Sequence, residues 1–146
     1  MKALPFLPER STKPRNKGLT MVMDKGLSLN EARYLVSVGS DYIDFVKLGF
    51  GTSLVTPGVE EKIKLYMEAG VMTYLGGTLF EAYVIRGLFK EYVELLKRFK
   101  VEMVEVSDGS YEMKQEDKLR YIKDLSKEFT VISEVGSKKK DVIYTP

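Results

Sequence analysis

Short apolar or β-branched runs alternate along the chain with stretches whose apolar residues recur every three to four positions. The runs cover residues 19–24, 42–48, 72–76, 101–107 and 130–135, and each closes in glycines, small polar residues or charges. That punctuation predicts strands ending in loops. After the first run, Leu29, Ala32, Tyr34, Leu35 and Val38 keep helical spacing, and Ser28 with Glu31 three residues on makes a capping box. Ile63, Tyr66 and Met67 mark a second helix after Pro57, with Gly70 as its stop. Residues 80–99 read as a longer helical region with Gly87 as a candidate break, and Leu119, Ile122 and Leu125 mark the face of the next helix.

Strand centres fall about 24 to 30 residues apart, the length of a βα unit with short connections. Strict alternation predicts a parallel sheet with right-handed crossovers. Two α/β architectures compete: an open doubly wound sheet, or part of a (β/α)8 barrel of the TIM type. Asp24 and Lys25, Lys47, residues 76–78, Glu105 with Ser107 and Asp108, and Glu134 close strand after strand. Polar groups gathered at the carboxyl ends of strands are the signature of a barrel, which is therefore the preferred reading. Eight such units need over ~200 residues, so the chain is expected to supply about five. Residues 1–17, proline-rich and basic, are expected to form an extended arm crossing a surface or covering one end of the sheet, and residues 18–146 the incomplete barrel.

Composition narrows the chemistry. At 44% hydrophobic and 30% charged residues the chain has the balance of a globular domain, not of a disordered or collagen-like one. No apolar run approaches the ~20 residues a membrane span needs, and residues 1–15 lack the features of a secretory signal, so a cytoplasmic protein with no membrane partner is expected. There is no cysteine and no histidine, which removes disulfides, thiol nucleophiles, the usual zinc ligands and the commonest general base. Carboxylates, lysines, backbone amides or an oxygen-bound cation must carry any reaction. A net charge of +2 with both signs interspersed gives no reason to expect nucleic acid, and the basic clusters at residues 13–17 and 138–140 read as solvated surface.

Alternation within the strands sorts their side chains by face. Ile43, Phe45 and Lys47 share one, as do Met103, Glu105 and Ser107, and Ile132, Glu134 and Gly136. A lysine and two glutamates on interior faces are costly to bury unless paired or bound to a cation, so an internal salt-bridge cluster and a functional site are the two readings. Convergence at one strand end favours the site, and without His or Cys the natural metal is Mg²⁺. The loops at residues 49–53 and 76–78 have glycines that let a ligand approach the backbone or simply make the turn. Neither is a P-loop or a dinucleotide fingerprint. One of Lys138, Lys139 and Lys140 could place a cation over the site.

The motifs taken in order resemble a known family. KGLT from Lys17, DKGL from Asp24, DYIDFVKLGFGTS from Asp41, GGTLFE from Gly76, VEVSDGS from Val104 and SEVGSK from Ser133 together look like phosphosulfolactate synthase, from about residue 5 to residue 140. The resemblance implies an incomplete (β/α)8 barrel and a Mg²⁺-dependent lyase-class enzyme. It adds sulfite to phosphoenolpyruvate to give (2R)-phospho-3-sulfolactate, which in methanogenic archaea leads towards coenzyme M. It also implies roles: Glu105 and Glu134, then Asp24, as magnesium candidates; Lys138 as the general acid; Lys25 and Lys47 holding sulfite or the carboxylate. The amides of Gly76, Gly77 and Thr78, with Ser107 and Asp108, would line the substrate side. Family members continue through three further strands with a Glu-x-Arg-Glu-Ser-Gly-type segment for substrate phosphate. The chain alone is therefore expected to have little activity, as a truncated or cleaved form or as a barrel completed by another copy in a homo-oligomer. A Schiff-base aldolase using Lys47 or Lys138, and a non-enzymatic relative of the plant heat-stress-associated proteins, are the alternatives.

Overall fold

The computed structural model describes residues 4–136. Five strands, β1 (Met21–Asp24), β2 (Phe45–Leu48), β3 (Met72–Leu75), β4 (Met103–Val106) and β5 (Thr130–Ser133), form one parallel sheet in sequential order. Between them run α1 (Leu29–Gly39), α2 (Val59–Glu68), α3 (Gly77–Val84), α4 (Phe89–Phe99) and α5 (Gln115–Leu125). The strand order separates the two architectures. A doubly wound sheet reverses its order at a switch point and carries helices on both faces. Here every crossover steps one strand in the same direction, and a constant right hand then places all helices on one face, as in the wall of a barrel.

The two faces bear this out. Val46, Leu48, Leu75, Val104 and Val106 are fully buried with Tyr66, Phe80, Tyr92 and Leu96 in the core beneath the helices. The opposite face carries Met21, Met23, Lys47, Met72 and Tyr74, and Met21 and Met72 remain 47% and 42% exposed. The end helices of the layer are also incompletely covered: Tyr34 and Val38 of α1 and Leu119 of α5 are exposed, while Ala32 and Leu125 are buried.

Local structure follows the sequence signals with a few shifts. The capping box is present, the Ser28 and Glu31 backbone N–H groups each donating to the other residue's side chain at 2.7 and 3.3 Å. The helical region at residues 80–99 is two helices, broken where Gly87 takes φ +72°. The loop expected at residues 49–53 contains short 3₁₀ turns on either side of a kink, where Phe50 and Gly51 take φ +54° and +73°. Residues 42–44, expected in the second strand, are instead the loop that meets the arm. Asp44 accepts from the Arg15 guanidinium at 2.7 Å and from the Thr20 N–H at 2.8 Å, and Lys13 donates to the carbonyls of Ser40 and Gly70. Two members of the first basic cluster thus hold the arm across the amino ends of β1, β2 and β3. Among the described residues no helix is long and apolar enough to cross a membrane.

Candidate active site

Lys47 and Glu105 are brought together across an intervening strand. Their strands, β2 and β4, lie on either side of β3, roughly 10 Å apart at ordinary strand spacing. The Lys47 Nζ nevertheless lies 2.7 Å from Glu105 Oε1. Gly76 makes the crossing possible: a Cβ there would lie 3.0 Å from Lys47 Cε and 3.2 Å from the Leu48 carbonyl oxygen. The next residue completes the cradle, because the Gly77 N–H donates to Glu105 Oε2 at 2.9 Å. Gly77 opens α3, whose amino end carries partial positive charge, so Glu105 is held by an ammonium and a helix terminus together. A Cβ at 77 would sit 2.3 Å from Ser107 Cβ, which ties this tight approach of α3 to β4 to glycine.

Ser107 and Asp108 belong to a second network that fixes the β4–α5 loop. The Ser107 hydroxyl donates to Glu81 Oε1, and the Ser110 N–H donates to Glu81 Oε2 at 2.9 Å. Lys118 of α5 lies 2.7 Å from Asp108 Oδ1 and donates to the Glu134 carbonyl at 2.7 Å, linking this loop to the end of β5. Glu134 itself is half-buried just beyond β5, where its N–H donates to Val106. The phenol of Tyr74 is pushed up to about 12, first by burial and then by the negative fields of Glu105 and Glu134. Glu134 shares the face of Glu105, because Ile132, two residues before it, is the partner of Glu105 in the sheet. Thr78 is half-buried in the first turn of α3, and Lys25 is exposed, its Nζ 5.8 Å from the centre of the Phe50 ring.

Asp24 is not brought to this cluster. It alternates with Met23 on β1 and lies on the helix-covered face, fully buried, where Lys62 and Tyr66 of α2 approach Oδ2 at 2.8 and 3.0 Å and the Gly26 and Leu27 N–H groups donate to Oδ1 at 2.8 Å. Burial alone would raise its carboxyl, but the Lys62 ammonium and those N–H groups outweigh burial and hold it below the ordinary carboxylate value. The physical reason is strand parity, which puts Asp24 with Val22 on the face opposite Lys47. Lys138, with Lys139 and Lys140, lies outside the described residues.

Lys62, Glu81 and Lys118 escaped the sequence reading, although each left a signal. Each interrupts an apolar helical stripe: Lys62 between Val59 and Tyr66, Glu81 beside Phe80 and Val84, Lys118 before Ile122 and Leu125. A charge on a core-facing stripe needs a buried partner.

The oxygen donors suit a hard cation only in a sparing way. Among the described residues no group of three acidic side chains could hold a metal ion. Mg²⁺ commonly takes one or two carboxylates and completes its shell with water and substrate oxygens, so Glu134 and Glu105 would be the residues to hold one, and Glu105 would first have to leave Lys47 and the Gly77 N–H.

Comparison with known proteins fits this arrangement. A family model described as (2R)-phospho-3-sulfolactate synthase (ComA) matches residues 8–145. Proteins named phosphosulfolactate synthase are similar to it: 44% identical over 132 residues in Bacillus subtilis (strain 168), covering 90% of this chain and 52% of that protein, and 42% identical over 142 residues in Methanothermobacter thermautotrophicus, covering 94% and 55%. The protein of that name from Methanocaldococcus jannaschii is 42% identical over 144 residues, covering 97% and 56%. The chain thus spans about half the length of these curated relatives. With residues 8–145 matched, and with the paired Lys47, Gly77 and Glu105 all inside that span, the chain belongs to the phosphosulfolactate synthase family.

Proposed function

We propose that this chain carries the amino-terminal part of a phosphosulfolactate synthase site, which joins sulfite to phosphoenolpyruvate in coenzyme M biosynthesis. The observation that supports this most is the Lys47–Glu105–Gly77 cluster on the interior face, at the strand ends where barrels bind ligands. In the reaction the sulfur lone pair forms a bond to the methylene carbon of phosphoenolpyruvate. The double-bond electrons move towards the carboxylate, and a proton then arrives at the neighbouring carbon. Both reactants are anions, so Lys47, with Lys25 at the rim, would offset their repulsion and orient one of them. Lys138 is the proposed proton donor. Glu134 and Glu105 would hold Mg²⁺, whose charge on the substrate carboxylate would stabilise the enolate-like state. Asp24 is left out of that set because its carboxylate is already held by Lys62, Tyr66 and two N–H groups.

The test is a hybrid in which this chain replaces the matching segment of the Methanothermobacter thermautotrophicus relative. Sulfite-dependent consumption of phosphoenolpyruvate is expected from the hybrid, and at least a hundredfold less from the 146-residue chain alone. Lys138→Ala in the hybrid is expected to abolish turnover while leaving substrate binding in part. A folded hybrid that does not consume phosphoenolpyruvate, or a Lys138→Ala hybrid with near-normal turnover, would count against the assignment.

A further inference from the structure

The two donors best placed to bind a substrate anion are already occupied by the protein's own carboxylate. Lys47 Nζ and the Gly77 N–H lie 2.7 and 2.9 Å from the two oxygens of Glu105, so that carboxylate fits them as a small dioxo anion would. The pair is not sealed: the Lys47 side chain is 15% exposed, against 2% for Lys62 in the ion pair on the other face. Ile132 is paired with Glu105 in the sheet, and Glu134, two residues further along, projects from that same face. A Glu105 carboxylate that left Lys47 for the Glu134 side would meet a like charge, which a cation between them would relieve.

We infer that Glu105 is an internal occupant of the substrate-anion site: it holds Lys47 and the Gly77 N–H until sulfite or a substrate carboxylate displaces it, and a divalent cation that draws Glu105 away promotes the exchange. The inference rests on the synthase reading for the identity of the anions. It makes cation and anion binding mutually reinforcing, since whatever the cation does for the anion the anion must do for the cation. Glu105 thereby has two partners at different stages, and the Gly76 gap exists to let Lys47 reach it in the first.

Calorimetric titration of the full 146-residue chain tests this without turnover. Sulfite alone is expected to bind at least tenfold more tightly to Glu105→Gln than to the unaltered chain. Adding Mg²⁺ should tighten sulfite binding to the unaltered chain and leave the Gln variant unchanged. Glu105→Asp, one methylene shorter and still charged, is the second variant and should also free the donors; circular dichroism shows that each variant is folded. Lys47→Met should weaken binding in every case. Phosphoenolpyruvate titrated in place of sulfite identifies which substrate anion uses the donors, since only that one tightens in the Gln variant. Equal affinity of the unaltered and variant chains for both anions, or no binding by any of them, overturns the exchange. Equal affinity alongside a hybrid that turns over leaves the synthase reading standing, whereas an inactive hybrid with tighter sulfite binding by Glu105→Gln overturns that reading alone.

Discussion

Two lysine–carboxylate pairs lie on opposite faces of one sheet, and their surroundings give them different work. Asp24–Lys62 on the helix side and Glu105–Lys47 on the interior side have N···O separations of 2.8 and 2.7 Å, and backbone N–H groups assist both carboxylates. The first pair is 0% and 2% exposed, and Tyr66 and the Leu27 carbonyl complete its bonding. The second is 5% and 15% exposed. A saturated, dry pair is a fastener that sets where the β1–α1 loop joins α2. A pair whose ammonium keeps some contact with solvent and whose carboxylate has fewer partners can exchange them. The difference shows why burial and completeness of bonding, rather than the ion pair itself, separate a structural charge from a functional one.

Substitutions can break this contrast. Lys62→Met leaves Asp24 buried and unpaired, and should cost about 3–5 kcal/mol in urea unfolding. A loss under ~1 kcal/mol would place this pair in the same class as surface pairs. Gly77→Ala forces a methyl against Ser107 and should cost about 1–3 kcal/mol, with weakened sulfite binding, because α3 must shift from Glu105. Lys47→Met should cost only about 1–2 kcal/mol, since Glu105 keeps the Gly77 N–H and gains water, yet reduce turnover of the hybrid at least a hundredfold. A stability loss matching that of Lys62→Met would erase the distinction.

The smallest effect is in acid. Asp24 has its folded-state pKa held below the unfolded value, so its stabilisation is present above about pH 3.9 and is lost as pH falls towards the folded value. Asp44, lowered by the Thr20 N–H and Arg15 against the opposing effect of burial, behaves alike. Lys62→Met and Arg15→Ala should each flatten the acid limb of stability against pH, measured by urea midpoints between pH 5 and 2. An unchanged slope in both would show that neither pair is responsible for it.

Much of the fold was legible because it depends on local patterns. The capping box at Ser28 and Glu31, the break at Gly87 and the five βα units all rest on residues near one another in sequence. The interior position of Lys47 and Glu105 followed from alternation within single strands. What alternation could not supply was the parity of Asp24, which depends on where β1 begins to pair with β2, a one-residue matter that moves every side chain to the other face. The same limit hid the partners of Lys62, Glu81 and Lys118, whose stripes announced a buried charge without saying which carboxylate or carbonyl would meet it.

By itself the sequence determined the α/β alternation, the family and the collection of charged and glycine residues at the strand ends, because periodicity and motif order are properties of the chain. Tertiary structure alone decided that the strands run in sequential order with one helix-covered face, and that Lys47 crosses the glycine that follows β3 to hold Glu105. It also decided that Asp24 is a fastener. Those outcomes depend on contacts between residues 38 to 58 positions apart, and such contacts are fixed by sheet register and packing.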